Sequence, residues 1–188
     1  LRIEGNDIFG HTGNGAGDDG RGIVVDGVSS GFIACSRMRN NDTGVEIKGG
    51  TTNFNVLHNR INDNGVRGLL VGASTGTGVK VNETMFTGNA AGVVHQGTGT
   101  LDLKHNWWSA ANGPSGAGGS GNSVSGSVDV SNFIARVDEP VLVRGPVDSG
   151  WAFPNAACYD IIQNAINATA AGKLLLIGAG NPFHERLT

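Results

Sequence analysis

The chain has 188 residues, 38% of them apolar and 32 of them glycine, with a formal net charge of −3. So low an apolar share with so much glycine points away from one round core and toward a core spread along an axis. The slightly acidic balance excludes electrostatic capture by nucleic acid or anionic lipid. No apolar run is longer than the four residues of Leu174 to Ile177, so no membrane span is expected.

Taken in chain order, the predicted elements repeat. The first unit opens on "LRIEGNDIFG", with alternating apolar residues, a turn at Asn6 and a further apolar pair, and closes on the strand-like "GIVVDG" from Gly22. "FIACSRMRNND" and "GVEIKG" from Gly44 make the second unit, "FNVLHNRINDN" and "GLLVGA" from Gly68 the third, and "VKVNETMFTGN" and "GVVHQG" from Gly92 the fourth. A fifth begins "LDLKHNWWSAA". The turn falls on Asn6, Ser36, Asn59, Asn82 and Asn106, at intervals of 30, 23, 23 and 24 residues, while the glycine marker recurs at 22, 24 and 24. Two landmarks with nearly one period define a repeat. A unit this short holds two or three short strands and cannot close a core alone, so it must stack, each strand pairing in parallel with its equivalent in the next unit. Asparagines at an equivalent turn tolerate left-handed backbone and hydrogen-bond from unit to unit.

The first interval is the longest because "HTGNGAGDDGRG" is inserted after Phe9. Insertions in a solenoid project from a corner, so this loop is the candidate functional loop. Its Asp18 and Asp19 are paired carboxylates suited to acid–base work or to Ca²⁺, the one cofactor considered. Lys48 and Arg60 are further catalytic candidates. His58, Arg60, Asp63 and Arg67 in one unit, with His95 and His105 in the next two, define a candidate polar stripe able to neutralise an acidic sugar. Asn41, Asn82 and Asn167 head Asn-Xaa-Thr triplets, read as coincidental with the turns. The two cysteines, Cys35 and Cys158, lack metal-ligand spacing and are expected to be isolated thiols, one of them filling core.

In the fifth unit Trp107 and Trp108 are expected to form a lid over the last coil, and alternatively a platform for sugar rings. Ala111 to Ser127 is almost all small residues and reads as a loop, either ordered by contact or mobile. The domain expectation is a repeat domain over 1–135, a linker with edge strands over 136–158, and over 159–188 one short capping α-helix and a strand. Asp160 and Gln163 have capping-box spacing and Gly172 sits at the helix end. Such a tail suits a tandem array, a fold-back onto the first coil, or docking on another molecule's first coil.

The strings "HNRINDNGVRGLLV" and "VNETMFTGNAAGVVH" resemble the repeat of the right-handed parallel β-helix superfamily, which includes pectate lyases and polygalacturonases. Asn106, Trp107, Trp108, Gly113 and Pro114 are similar to the "NWW…GP" closing segment of bacterial surface β-helices. The resemblance implies an all-β solenoid of about five coils at the cell surface or outside the cell. It implies either a non-catalytic structural, adhesive or head-to-tail self-assembling element, or a polysaccharide lyase, hydrolase or epimerase using Asp18, Asp19, Lys48 and Arg60. "GDDG" is similar to the paired aspartates of polygalacturonases. The partners implied are a second copy or tandem β-helix domain and a polysaccharide.

Overall fold

A computed structural model of the chain describes residues 1–13 and 20–135. The first of the chain's two units is Leu1–Val137; the linker expected over 136–158 and the helix and strand expected over 159–188 lie outside the described residues.

The described residues are all-β, without a helix. Coil one carries β1 (Arg2–Glu4), β2 (Asp7–Phe9) and β3 (Arg21–Asp26); coil two carries β4 (Gly31–Ala34), β5 (Arg37–Arg39) and β6 (Thr43–Lys48). Coil three is β7 (Phe54–Leu57), β8 (Arg60–Asn62) and β9 (Arg67–Val71), and coil four is β10 (Lys80–Asn82), β11 (Met85–Thr87) and β12 (Val93–His95). Coil five keeps β13 (Leu101–Asp102) and β14 (Val124–Ser125), and β15 (Val128–Asp129) begins a sixth turn. The strands form three parallel sheets: sheet I is β1-β4-β7-β10-β13-β15, sheet II is β2-β5-β8-β11, and sheet III is β3-β6-β9-β12-β14. In sheet II the fifth coil is represented by a single parallel bridge, Met85 to Trp107.

Strand alternation sends one residue inward and the next outward. The inward positions stack in register: Ile3, Ile33, Val56 and Val81 in sheet I; Ile8, Met38, Ile61 and Phe86 in sheet II; Ile23, Val45, Leu69, Val93 and Val124 in sheet III. These columns make one core along the axis. Trp108 completes the sheet II column, fully buried, its ring stacked on Phe86 with centroids 4.8 Å apart. Trp107 points outward, because neighbours in extended backbone face opposite ways. The two indoles therefore do not form the expected lid together. Phe133 packs against the core from beyond the last coil and faces Gly113.

Polar columns hold the corners. On entering sheet II the chain passes a left-handed residue, Cys35, His58, Glu83 or His105 at φ 48, 52, 51 and 56°, and the next residue reaches the adjacent coil. The Asn6 N–H donates to Ser36 Oγ (3.2 Å), Ser36 N–H to Asn59 Oδ1 (2.9 Å), Asn59 N–H to Thr84 Oγ1 (3.3 Å) and Thr84 N–H to Asn106 Oδ1 (2.9 Å). The ladder is thus Asn6, Ser36, Asn59, Thr84 and Asn106. Asn82, expected at the fourth rung, is two residues early: it ends β10 opposite Leu57 and bonds outside the ladder to Asp102 and the Lys104 carbonyl.

A second ladder, absent from the sequence reading, stands where the chain leaves sheet II. His11 N–H donates to Asn41 Oδ1 (3.1 Å), Asn41 N–H to Asn64 Oδ1 (3.1 Å), Asn64 N–H to Asn89 Oδ1 (3.1 Å) and Asn89 N–H to Asn122 Oδ1 (3.3 Å). Asn41, Asn64 and Asn89 are buried. The glycine marker sits against them. A Cβ on Gly44 would lie 2.6 Å from the Gly68 carbonyl oxygen and 3.0 Å from Asn64 Nδ2; Gly22 and Gly68 have the same surroundings, and Gly92 meets the Ser123 carbonyl oxygen at 2.7 Å and Asn122 Cβ at 3.1 Å. Close approach, not left-handed backbone, demands glycine in this column.

One further expectation changes and one open alternative closes. Cys35 is disulfide-bonded rather than an isolated thiol, and no described cysteine is free; Cys158 lies outside the described residues. The small-residue stretch after Trp108 is folded tightly on itself: Asn122 N–H donates to the Trp108 carbonyl (2.6 Å), Gly121 N–H to Gly113 (2.9 Å) and Val124 N–H to Ser115 (2.9 Å). Its glycines allow backbone to pack on backbone, a Cβ on Gly121 lying 1.9 Å from the Trp108 carbonyl oxygen.

Asn59 Nδ2 also donates to the Ile33 and Leu57 carbonyls. Asn59→Ala strips partners from buried backbone groups and is expected to cost about 2–4 kcal/mol in chemical denaturation, while Asn82→Ala costs under about 1 kcal/mol. Equal losses would contradict the register. Gly44→Ala is expected to lose about 1–3 kcal/mol by forcing the coils apart. Gly65→Ala, whose Cβ would meet nothing nearer than 3.8 Å, should stay within about 0.5 kcal/mol.

Candidate functional site

The sequence candidates do not converge. Asp18 and Asp19, with any Ca²⁺ they would hold, lie outside the described residues. Lys48 ends β6 in sheet III, its Nζ 3.9 Å from Glu46 and 4.0 Å from Asp26. Arg60 opens β8 in sheet II. Arg67 opens β9 in sheet III, and Asp63 stands at a left-handed corner (φ 55°). His95 takes an inward position in register with Val71, and its Nδ1 lies 2.8 Å from the Ser127 carbonyl oxygen; because that oxygen only accepts, Nδ1 carries the proton. His58 and His105 are left-handed corner residues. His58 Nδ1 lies 3.0 Å from Glu83 Oε2, and burial pulls the imidazole pKa below its ordinary value while Glu83 pulls the other way. The expected stripe is therefore divided among corners, core and two sheets. Among the described residues no three His, Cys, Asp or Glu side chains are grouped to hold a metal ion.

Of the two tryptophans proposed for sugar stacking, Trp108 is withdrawn into the core and only Trp107 presents a partly exposed ring. The sequons at Asn41 and Asn82 use their amide nitrogens inside the fold, Asn41 Nδ2 donating to Asn64 and the Ile8 carbonyl.

The structure instead brings charge together on the outer face of sheet II. The residue after each first-ladder position points outward, giving the column Asp7, Arg37, Arg60, Met85 and Trp107, with Arg37 directly opposite Arg60. Beside it run Phe9, Arg39, Asn62 and Thr87. Arg39 is engaged, donating to both carboxylate oxygens of Asp7 (3.1 and 2.9 Å) and lying 4.2 Å from the Phe9 ring centroid. Arg37 Nε donates to Asn62 Oδ1 (3.2 Å), and Arg60 Nε is buried without a hydrogen-bond partner. Burial, then Arg60 and Arg39, lower the Arg37 pKa, opposed by Asp7 and Asp63. Aligning the residue after each turn would have exposed this column. Placing the fourth turn at Asn82 puts Glu83 in the row where Met85 belongs.

The inserted loop also has an anchor. Asp42 Oδ2 accepts from Gly13 N–H (2.5 Å) and Gly20 N–H (3.0 Å), the two ends of the neck, and Asp42 N–H donates to the His11 and Gly20 carbonyls. Those two N–H groups bind the ionised form and hold the carboxyl pKa below its ordinary value. A depressed carboxyl pKa means that the clamp is intact above the ordinary aspartate range and is lost as pH falls through the lowered value. The amide NMR shifts of Gly13 and Gly20 should titrate together, with a midpoint below the ordinary range, and Asp42→Ala should abolish the titration and speed both amides' exchange by about tenfold. Unchanged exchange in the variant would remove the clamp.

Comparison with known proteins places the architecture. No curated protein and no solved structure matches the chain. A family model described as a right-handed beta helix region matches residues 1–107, the stretch that contains the first four coils, both ladders through Asn89 and the outward arginine column. With more than half of its length matched and three parallel sheets wound coil on coil, the chain belongs to the right-handed β-helix family.

Proposed function

We propose that this β-helix is a non-catalytic structural and adhesive element of the extracellular surface, able to stack head to tail on a second copy or a tandem β-helix domain and to contact polysaccharide through its flank. The separation of Lys48 and Arg60 onto different sheets carries this reading: a catalytic pair must sit within reach of one substrate bond, whereas these two stand on different faces. The buried asparagines are engaged in holding coils together. Stacking is supported by the way the coils themselves join, each strand pairing in parallel register with its equivalent in the next coil, a mode of contact that a second β-helix can continue. Likeness to the closing segment of bacterial surface β-helices supports the location.

One observation favours the second reading, a polysaccharide lyase, hydrolase or epimerase of the pectate-lyase-like kind. The Asp42 clamp gives the loop of Asp18 and Asp19 a fixed base, as catalysis requires. Incubating the chain with acidic and neutral polysaccharides is expected to give neither new reducing ends nor unsaturated products. Turnover that disappears in Asp19→Asn would overturn the non-catalytic reading. Light scattering after size-exclusion chromatography is expected to show mass rising with concentration; a strictly monomeric particle would remove the stacking part.

A further inference from the structure

We propose that Arg37 and Arg60 form an oxyanion-binding site on the outer face of sheet II, taking a carboxylate or sulfate group presented by an anionic glycan. The proposal deepens the adhesive part of the function above and rests on it. Like charges directly opposite one another on paired strands repel, yet register sets Arg37 opposite Arg60 on neighbouring strands whose backbones are about 4.8 Å apart. The carboxylate nearest in register, Asp7, is turned to Arg39 by two hydrogen bonds. Asp63, at the corner, accepts from Asn62 Nδ2 (2.5 Å). Arg37 is bonded to a neutral amide and Arg60 Nε to nothing.

Two partly exposed arginines of one outward column therefore stand without an ion pair to a described carboxylate, and their terminal guanidinium nitrogens are the groups that would bind an oxyanion by charge-assisted hydrogen bonds. Above them the same column turns apolar, with Met85 and then Trp107, partly exposed, roughly 10 Å beyond Arg60 at two strand spacings. An anion flanked by an apolar surface at that distance matches a charged sugar followed by a ring that stacks on an indole. An isolated inorganic ion would use the arginines alone. The parallel sheet supplies rigidity, since both arginines rise from strands whose inward neighbours, Met38 and Ile61, are fully buried.

The test is affinity electrophoresis of the full chain in gels containing heparin, polygalacturonate or neutral dextran, with the melting temperature followed in sodium sulfate and sodium acetate against chloride at equal ionic strength. Retardation is expected in the two anionic gels and not in dextran. The double variant Arg37→Gln/Arg60→Gln should bind about tenfold more weakly or worse, and Lys80→Gln, at the exposed first residue of β10 in sheet I, should bind as the parent does. A sulfate- or acetate-specific rise in melting temperature, lost in the double variant, identifies the free ion as sufficient; retardation without that rise identifies the glycan-borne group. Because the pair repels itself, the double variant should melt at the same temperature as the parent or higher, which separates lost binding from lost folding. Unaltered retardation in the double variant, equal loss in Lys80→Gln, or no retardation of the parent would overturn the site. Reducing-end assays on the same mixtures report separately on the non-catalytic reading, so that turnover with intact anion binding sinks that reading and leaves the site standing.

Discussion

Everything in this solenoid depends on a buried side-chain oxygen, amide or hydroxyl, accepting a backbone N–H from the neighbouring coil. A chain that turns sharply twice within a few residues leaves N–H groups pointing along the axis, inside the wall, where water does not reach them. An unpaired buried N–H costs about 1–3 kcal/mol, and each coil has one at each end of its three-residue sheet II strand. Asn59 answers with Oδ1 toward Ser36 and returns its own Nδ2 to the carbonyls of Ile33 and Leu57. Asn64 does the same at the other corner, toward Asn41 and the Met38 carbonyl. The side chains thus join successive coils where the strand ladders are interrupted, and the left-handed residue before each of them becomes tolerable.

That arrangement constrains what can stand nearby. The second ladder brings its asparagines against the start of each sheet III strand, and a backbone carbonyl oxygen of the next coil closes the space from the other side, so only hydrogen fits at Gly22, Gly44, Gly68 and Gly92. The core columns then follow from alternation, and so do the outward columns, because a residue one step beyond a ladder rung has no choice of face. Arg37 and Arg60 oppose each other on the outer wall through this constraint. Their proximity is imposed by register and remains in the fold despite its repulsion.

The period was legible in the sequence because apolar alternation and the glycine marker recur independently of one another, and the parallel solenoid follows from a unit too short to bury itself. Register within the period was less legible. Asn82 and Thr84 both lie in the fourth turn, both are small and polar, and Asn82 keeps the neater interval, yet Thr84 accepts from Asn59. The second ladder was hidden for a related reason: its spacing is 23 and 25 residues and then 33 between Asn89 and Asn122, where the folded glycine loop is inserted. By composition that loop is either ordered by contact or mobile, and its glycines decide the matter by serving close backbone packing.

The sequence by itself determined the coil length, the parallel winding with two or three strands to a coil and the recurrence of the glycine marker, because these rest on local alternation and on a repeat that any stacking must respect; that there are three sheets came from the structure. Only the tertiary structure decided which polar residue of each turn faces the neighbouring coil, that Trp108 goes inward and Trp107 outward, and that the charged residues of one coil separate while arginines of two coils meet. Those outcomes hinge on a shift of one or two residues in register, which reverses the face of a side chain or moves it beyond hydrogen-bond reach. Composition and spacing are almost blind to such a shift; the packing of one coil on the next is not.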